Sequence, residues 1–274
     1  MVACGAIHYC SLCVWRNAYR VPNFIDDTCD KEPTMTQTLS SATRPRMLLI
    51  GASRGIGFAM TEELLRRGWD VTATVRGNHR TALHDLILPY PDALNIEMLD
   101  MTDTAQLFEL RARLQHQHFD VLFVNAGTAN RNQNETIGEV STEEFAHVMI
   151  TNALSPLRVV EALQSFVKND GLIGIMSSGQ GSVSNNHNGG REVYRGTKAA
   201  LNQYMRSFAA RQAVMYPERA LLLLAPGWIR TDLGGDEGAF SLEETIPDII
   251  NAIESKRARP GLEYLDRFGK TVSW

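Results

Sequence analysis

The chain has 274 residues, of which 44% are hydrophobic and 21% charged, and its formal net charge is −4. This length and apolar content fit one large α/β domain better than two small ones. Without a basic excess the chain is not expected to bind nucleic acid. No apolar run reaches the roughly 20 residues that cross a bilayer, so we expect no membrane partner and a cytoplasmic location.

Residues 1–44 differ from the rest because they lack a hydrophobic period and carry all four cysteines. Cys10 and Cys13 have the C-x-x-C spacing of metal or redox pairs, with His8 nearby, but we favour a weakly ordered tail in a reducing compartment and predict no metal site. Neither a secretory signal nor a transit peptide is indicated. We interpret residues 1–44 as a dispensable extension, with Met35 as the working start, and residues 45–274 as the folded domain.

From residue 46 onward, strand-like runs alternate with helix-like periods. The predicted strands are 47–50, 70–75, 93–99, 119–124, 171–176 and 219–225, with a last short strand and turn in 261–274. The predicted helices are 56–67, 79–88, 102–116, 141–166, 193–215 and 241–253. Ser141 and Glu144 are expected to form a capping box, and Pro156 is expected to kink its helix. This alternation predicts a doubly wound, mostly parallel sheet with helices on both faces.

A glycine-rich turn, Gly51-Ala-Ser-Arg-Gly-Ile-Gly57, lies between the first predicted strand and helix. Glycine permits tight turning and close approach to a pyrophosphate, and helix amino ends bind anions. The spacing differs from the common G-x-G-x-x-G, so the glycines alone are weak evidence for dinucleotide binding. Their position between a predicted strand and a predicted helix makes that evidence stronger. That place favours a single Rossmann-fold domain with dinucleotide contacts from Gly51, Ser53, Arg54, Gly55, Ile56 and Gly57.

The end of the second predicted strand bears on cofactor choice. NAD-dependent enzymes usually carry an acidic residue there for the ribose 2′-hydroxyl, whereas this chain has Arg76. Arg76, Ser53 and Arg54 could hold a 2′-phosphate through charge-assisted hydrogen bonds. We therefore favour NADP(H) over NAD(H), and the alternative is that both arginines are solvated surface residues.

Two later strand ends carry weaker indications. Asp100, followed by Met101, could accept a hydrogen bond from an adenine amino group, or could cap the helix that begins near Asp103. Small residues in Asn125-Ala126-Gly127 would let a cofactor lie flat on the backbone. Ligands bind at this edge of parallel sheets, so both segments are candidate cofactor contacts.

Tyr194 and Lys198 are four residues apart on a predicted helix and therefore share one face. An ammonium beside a phenol favours the phenolate and lowers the phenol pKa. Tyrosine could then exchange a proton with a carbonyl or alcohol near neutral pH. Ser177 and Ser178 end the preceding strand, where a hydroxyl could hold the substrate oxygen. The alternative is that Lys198 is a solvated helix lysine.

Taken in this order, these motifs resemble the short-chain dehydrogenase/reductase family over residues 46–274. Within that family the chain resembles the branch of C-factor and the sniffer carbonyl reductases. The motifs that carry this narrower resemblance are Ser-Ser-Gly-Gln-Gly-Ser-Val (177–183), Tyr-Arg-Gly-Thr-Lys-Ala-Ala-Leu-Asn (194–202), Pro-Gly-Trp-Ile-Arg-Thr-Asp-Leu-Gly-Gly (226–235) and Gly-Lys-Thr-Val-Ser-Trp (269–274). The family usually has threonine where this chain has Ile50, which removes a side-chain hydrogen bond inside the glycine turn.

The resemblance implies a role for each matching residue. Tyr194 would be the general acid, and Lys198 would lower its pKa and bind the nicotinamide ribose. Ser178, rather than Ser177, would orient the carbonyl, while Asn152 would hold a water that relays protons to Lys198. Contacts to the nicotinamide end would come from Pro226, Gly227, Ile229 and Thr231.

We therefore expect an NADPH-dependent enzyme that reduces an aldehyde or ketone, with a small-molecule carbonyl or alcohol as its partner. The alternatives are an NAD(P)-binding signalling protein of the C-factor type with little turnover, and an NAD-dependent alcohol dehydrogenase. The loop 179–191 is expected to frame the substrate mouth, and residues 234–240 to form a lid. A homodimer or homotetramer through helix 193–215 is an expectation by analogy only.

Overall fold

The computed structural model describes residues 44–274. Seven strands in this range form one parallel sheet in the order β3-β2-β1-β4-β5-β6-β7. They are β1 Arg46–Ile50, β2 Asp70–Val75, β3 Leu94–Met98, β4 Phe119–Val124, β5 Val167–Met176, β6 Ala220–Ala225 and β7 Gly261–Asp266. The strand order reverses at β1 and β4, which confirms the predicted doubly wound fold. The cysteines and the rest of the predicted extension up to residue 43 lie outside the described residues.

Within residues 44–274, six α-helices accompany the strands. They are α1 Gly55–Arg66, α2 Thr104–Arg113, α3 Thr142–Met149, α4 Ser155–Leu163, α5 Glu192–Met215 and α6 Leu242–Arg257. Two apolar cores lie on opposite faces of the sheet: one contains side chains of α1 and α6, and the other contains side chains of α2, α4 and α5. Strands buried on both faces explain the nearly continuous apolar runs in the sequence. None of the helices within 44–274 is long and apolar enough to span a membrane.

The predicted helix 79–88 is wrong. Only a short 3-10 helix, Ala82–Leu86, forms there, and Leu83 is its one buried residue. Leu88 is 88% exposed, so the segment has no second apolar anchor to hold a longer helix against the core.

The predicted capping box at Ser141 is half formed. Its hydroxyl accepts from Glu144 N at 3.1 Å, but the Glu144 carboxylate accepts from Arg131 N instead.

The predicted helix 141–166 is a continuous helical run that contains an irregular turn before Pro156. A π-helical turn, Ile150–Leu154, separates α3 from α4, and Pro156 lies in the first turn of α4. Proline lacks the N–H that would bond to residue 152 four positions earlier, so the regular ladder cannot pass through this point. The irregular turn places Asn152 where its side chain reaches another segment.

Candidate active site

A cavity of about 530 Å³ opens at the carboxyl edge of the sheet, where the segments after β1, β2, β3, β4, β5 and β6 meet. This is the edge at which parallel α/β sheets bind ligands. Of the twenty predicted site residues, all but Gly57 and Asn152 line it. They are Gly51, Ser53, Arg54, Gly55, Ile56, Arg76, Asp100, Met101, Asn125, Ala126, Gly127, Ser178, Tyr194, Lys198, Pro226, Gly227, Ile229 and Thr231.

The glycine turn is packed so closely that side chains would disrupt it. Gly51 has φ +88°, and a Cβ there would lie 2.6 Å from the Cβ of Ala126. A Cβ on Gly57 would lie 2.1 Å from the carbonyl oxygen of Gly51. Asn125 Nδ2 donates to that same oxygen at 2.8 Å. Asn125 and Gly57 therefore act on the shape of the turn itself.

A threonine that sequence reasoning missed contributes to this turn. Gly51 N donates to Thr74 Oγ1 at 2.9 Å. Thr74 lies in β2 and is buried, although its hydroxyl is polar. The family's usual threonine is replaced by Ile50, yet a side-chain hydrogen bond to the turn is present from the neighbouring strand. A polar residue within an otherwise apolar buried strand was the available clue.

The cavity floor fits a flat ring system. Gly127 presents no side chain there, and a Cβ at this position would lie 3.3 Å from Asn152 Oδ1 and 3.5 Å from Lys198 Nζ. A side chain would therefore fill the space between these polar atoms. Together with the glycine turn, this bare surface fits a dinucleotide, which needs close backbone approach along its length.

The two arginines considered for a 2′-phosphate differ in their contacts. Arg54 forms an ion pair with Asp232, and both side chains are 73% exposed. Arg76 is exposed and lines the same cavity. Asp100 does not cap α2, because Asp103 is the N-cap and accepts from Ala105 N and Gln106 N. Asp100 instead accepts hydrogen bonds from the backbone and hydroxyl of Thr102.

Tyr194 and Lys198 lie on the first turns of α5 and face the cavity, with Lys198 Nζ 5.8 Å from the Tyr194 ring centroid. Lys198 is buried rather than solvated, and burial lowers its pKa to about 8. Burial also raises the pKa of Tyr194, against lowering effects of a Ser178 hydrogen bond and the Arg191 charge. Burial of the phenol outweighs the Ser178 hydrogen bond and the Arg191 charge, and the expected lowering of the Tyr194 pKa by Lys198 stays a prediction.

The two serines after β5 have different surroundings. Ser177 is buried and donates to Asn202 Oδ1 at 2.7 Å. Ser178 is partly exposed, and its hydroxyl is close enough to Tyr194 to lower the phenol pKa. The phenolic hydroxyl of Tyr264, a residue that sequence reasoning missed, donates to the Ser178 carbonyl oxygen. Both serines line the cavity, and Ser178 is the one whose hydroxyl lies beside Tyr194.

Asn152 is buried in the π-helical turn and bridges two segments. Its Oδ1 accepts from Thr128 N at 2.8 Å, and its Nδ2 donates to Thr128 O at 2.8 Å and to Thr197 Oγ1 at 3.0 Å. These bonds fix the backbone after Gly127 against α5, one residue before Lys198. The proton-relay role of Asn152 stays a prediction.

A family model described as enoyl-(acyl carrier protein) reductase matches residues 51–256. A solved short-chain dehydrogenase/reductase from Burkholderia multivorans with bound NADP is 58% identical, covers 84% of this chain and 100% of its own, and superposes with a TM-score of 0.82. The chain belongs to the short-chain dehydrogenase/reductase family.

Two further relatives of this short-chain dehydrogenase/reductase bear on its branch. A carbonyl reductase from Pseudomonas aeruginosa PAO1 in complex with NADP is 30% identical, with coverage of 85% of this chain and 100% of its own and a TM-score of 0.77. The C-signal of Myxococcus xanthus is 31% identical over 158 residues, which are 57% of this chain and 92% of the relative. Both agree with the expected resemblance to C-factor and carbonyl reductases within a family of NAD(P)-dependent oxidoreductases.

Beyond its cofactor end, the cavity of this short-chain dehydrogenase/reductase has a polar lining that sequence reasoning assigned only in part, through the loop 179–191 expected at the substrate mouth. It comes from the segments after β4, β5 and β6, and includes Gln133, His147, Thr151, Gln180, Arg191 and Trp228. The Trp228 indole donates to Gly234 O at 2.7 Å, and Thr231 Oγ1 accepts from Gly234 N at 3.0 Å, so the start of the predicted lid is tied to the cavity wall. Closure of this lid stays a prediction. No cluster of metal-ligating side chains occurs within residues 44–274.

Proposed function

We propose that this protein is an NADPH-dependent carbonyl reductase that converts an aldehyde or ketone to an alcohol. The observation that carries the proposal is the meeting of Ser178, Tyr194 and Lys198 at one cavity whose other end is the glycine turn. This arrangement supplies a hydrogen-bond donor, a proton donor and a buried cation beside the site where a nicotinamide would lie.

NADPH, when bound, supplies the hydride for the carbonyl carbon. Tyr194 donates its phenolic proton to the carbonyl oxygen, and the Ser178 hydroxyl holds that oxygen in reach. Burial raises the pKa of Tyr194. An ordinary phenol pKa of about 10 already keeps tyrosine protonated at neutral pH, so the raised pKa makes Tyr194 a weaker proton donor until positive charge beside the reacting oxygen lowers that pKa. Lys198 supplies positive charge near the reacting oxygen and a hydrogen bond to the nicotinamide ribose, while Asn152 holds the adjoining backbone and the relay water.

Preference for NADPH over NADH is part of the proposal. Arg76 and Arg54 lie at the rim of the cavity, and no acidic residue takes the place of Arg76 at the end of β2. A guanidinium favours a phosphate over a hydroxyl through charge-assisted bonds. The presence of NADP in two related structures supports this preference.

The test follows NADPH absorbance across a panel of aldehydes, ketones and quinones, with wild type, Tyr194→Phe and Tyr204→Phe. Tyr204 is on the same helix, about half exposed and outside the cavity, so it is the matched control. Loss of the proton donor should lower kcat/KM by about 100- to 10 000-fold in Tyr194→Phe alone. Equal turnover by Tyr194→Phe and wild type would overturn the proposed chemistry.

The similarity to C-signal favours one second candidate, a signalling protein that binds NAD(P) with little turnover. Tyr194→Phe separates the two functions, because a signalling role that needs only the bound cofactor would survive it. An NAD-dependent alcohol dehydrogenase, the remaining alternative, would show faster alcohol oxidation with NAD than carbonyl reduction with NADPH. A cytoplasmic location and a homodimeric or homotetrameric assembly stay predictions.

A further inference from the structure

Arg191 has a backbone conformation that arginine rarely adopts. Within residues 44–274 it is the one non-glycine residue with positive φ, at +50°, directly after Gly189 and Gly190. A left-handed conformation is unfavourable for an L residue with a Cβ. Glycine would adopt it without this cost. Such strain occurs often at functional sites.

Helix capping does not explain this arginine either. Arg191 is the N-cap residue of α5 and makes no side-chain capping bond. A cation at the amino end of a helix opposes the helix dipole, so an Asp, Ser or Asn would be more stable at this position. The neighbouring acid Glu192 is directed elsewhere and accepts a hydrogen bond from Ile137 N.

The Arg191 side chain faces the substrate end of the cavity. It lines the cavity together with Tyr194, and its guanidinium carbon lies 5.4 Å from the centroid of a Trp228 ring. None of the ion pairs formed among residues 44–274 includes Arg191. A guanidinium stacked on an aromatic face keeps its N–H edges available, and these edges match a carboxylate in a bidentate pair.

The surrounding wall also offers polar atoms to a ligand. Thr151 Oγ1 and Gln180 Oε1 are buried, line the same cavity and have no hydrogen-bond partner within the described part of the chain. Buried polar groups are normally satisfied, so these two atoms favour a ligand that carries polar groups of its own. A wall built for a purely hydrocarbon ketone would not place them there.

We propose that Arg191 binds a carboxylate on the substrate, so that the preferred substrates are aldehydes or ketones that also carry an acidic group. Trp228 supports the guanidinium from the side, and the acidic group lies within reach of Arg191 while the carbonyl meets Tyr194 and Ser178. This inference rests on the proposed reductase function and adds a substrate class to it.

The first experiment compares a matched pair of aldehydes, 4-formylbenzoate and its methyl ester, together with the 2- and 3-formyl isomers, at saturating NADPH. The acid and the ester share the ring and the aldehyde and differ in charge. Arg191→Gln should lower kcat/KM for the preferred acid by about tenfold to a hundredfold, mainly through KM, because one charge-assisted pair is lost. Arg191→Lys, which keeps the charge, should recover part of this loss. Loss of the Arg191 charge also acts on the pKa of Tyr194 and would affect acid and ester alike, so the acid-to-ester ratio of kcat/KM is the measure of the carboxylate site.

Two further variants serve as controls for the comparison of acid and ester. Arg191→Asn suits the left-handed backbone and should fold at least as well as wild type while losing the acid preference. Arg211→Gln removes one positive charge from the same helix at an exposed position outside the cavity, and should leave the acid-to-ester ratio unchanged. An acid-to-ester ratio that is the same in wild type, Arg191→Gln and Arg191→Asn would overturn the assignment.

A binding measurement tests the proposed carboxylate site without relying on catalytic turnover. Calorimetric titration of the NADPH-loaded protein with 4-hydroxymethylbenzoate, which cannot react with NADPH, should give a Kd about tenfold or more weaker in Arg191→Gln than in wild type. The neutral 4-hydroxymethylbenzamide should bind both proteins alike. Acid-selective binding that depends on Arg191, without any aldehyde turnover, would contradict the reductase function and support the carboxylate site. Turnover without any charge selectivity would contradict the carboxylate site alone.

Discussion

Lys198 Nζ donates a 3.0 Å hydrogen bond to the carbonyl oxygen of Met176, the last residue of β5. This bond ties the first turns of α5 to the strand that leads to Ser178. The ammonium is buried, and burial lowers its pKa to about 8 from the ordinary 10.5. A charge in this place lowers stability, and the catalytic role proposed for Lys198 explains why it is there.

Replacement of Lys198 with Met should therefore stabilise the cofactor-free protein at pH 7 while abolishing carbonyl reduction. The two pKa values limit the gain in the free energy of unfolding to about 3 kcal/mol. Between pH 8 and 10.5 the unfolded chain binds more protons than the folded one, so the wild type should gain stability with rising pH. Urea unfolding of both proteins across this range should show the difference shrinking towards pH 10.5. If the difference in the free energy of unfolding between wild type and Lys198→Met stays constant with pH, the Lys198 charge is not its cause.

The glycine turn gives a prediction with an internal control. Gly57→Ala would place a Cβ 2.1 Å from the Gly51 carbonyl oxygen, so the turn must move and NADPH binding should fall by at least tenfold. Gly196→Ala lies in α5 with no atom within 4 Å of the new Cβ, and should raise stability by roughly 0.5–1 kcal/mol. Fluorescence titration with NADPH and thermal unfolding measure the two effects. Unchanged NADPH affinity in Gly57→Ala would contradict the tight packing of the turn.

Much of this site could be predicted because it depends on short-range chemistry. Glycines in a turn, a tyrosine four residues before a lysine, and strands ending in polar residues are patterns that a linear sequence displays. Arg191, Thr74 and Tyr264 act through contacts between distant segments, and the sequence alone does not place those segments side by side. The 79–88 helix failed for a related reason, because tertiary burial of Leu83 alone could not extend a short turn.

The pair between Arg54 and Asp232 predicts how cofactor choice can be tuned. Asp232 would compete with the proposed 2′-phosphate for the Arg54 guanidinium, so Asp232→Asn should strengthen NADPH binding by a few fold and leave NADH binding nearly unchanged. Arg76→Ala should act in the opposite direction and weaken NADPH binding by about tenfold or more, because a charge-assisted bond is lost. Titration of each variant with both cofactors measures the ratio. If Arg76→Ala leaves the NADPH preference intact, Arg76 has no part in it.

Tyr264 positions the serine proposed to hold the substrate oxygen. Its hydroxyl donates to the Ser178 carbonyl oxygen, and burial raises the pKa of Tyr264 to about 12, so it remains a donor throughout the neutral range. Tyr264→Phe keeps the ring beside Trp274, with the ring centroids 5.4 Å apart, and removes the bond to Ser178 together with the hydrogen bonding of the phenol to Asn202 and Ser177. We expect kcat to fall by about five- to tenfold, equivalent to roughly 1 kcal/mol for one hydrogen bond, with the Kd for NADPH unchanged. Ser178→Ala should remove this sensitivity, since without the serine hydroxyl there is nothing left for Tyr264 to position. If Tyr264→Phe lowers kcat equally in the wild-type and Ser178→Ala backgrounds, the hydrogen bond from Tyr264 stabilises the fold and does not position the Ser178 hydroxyl.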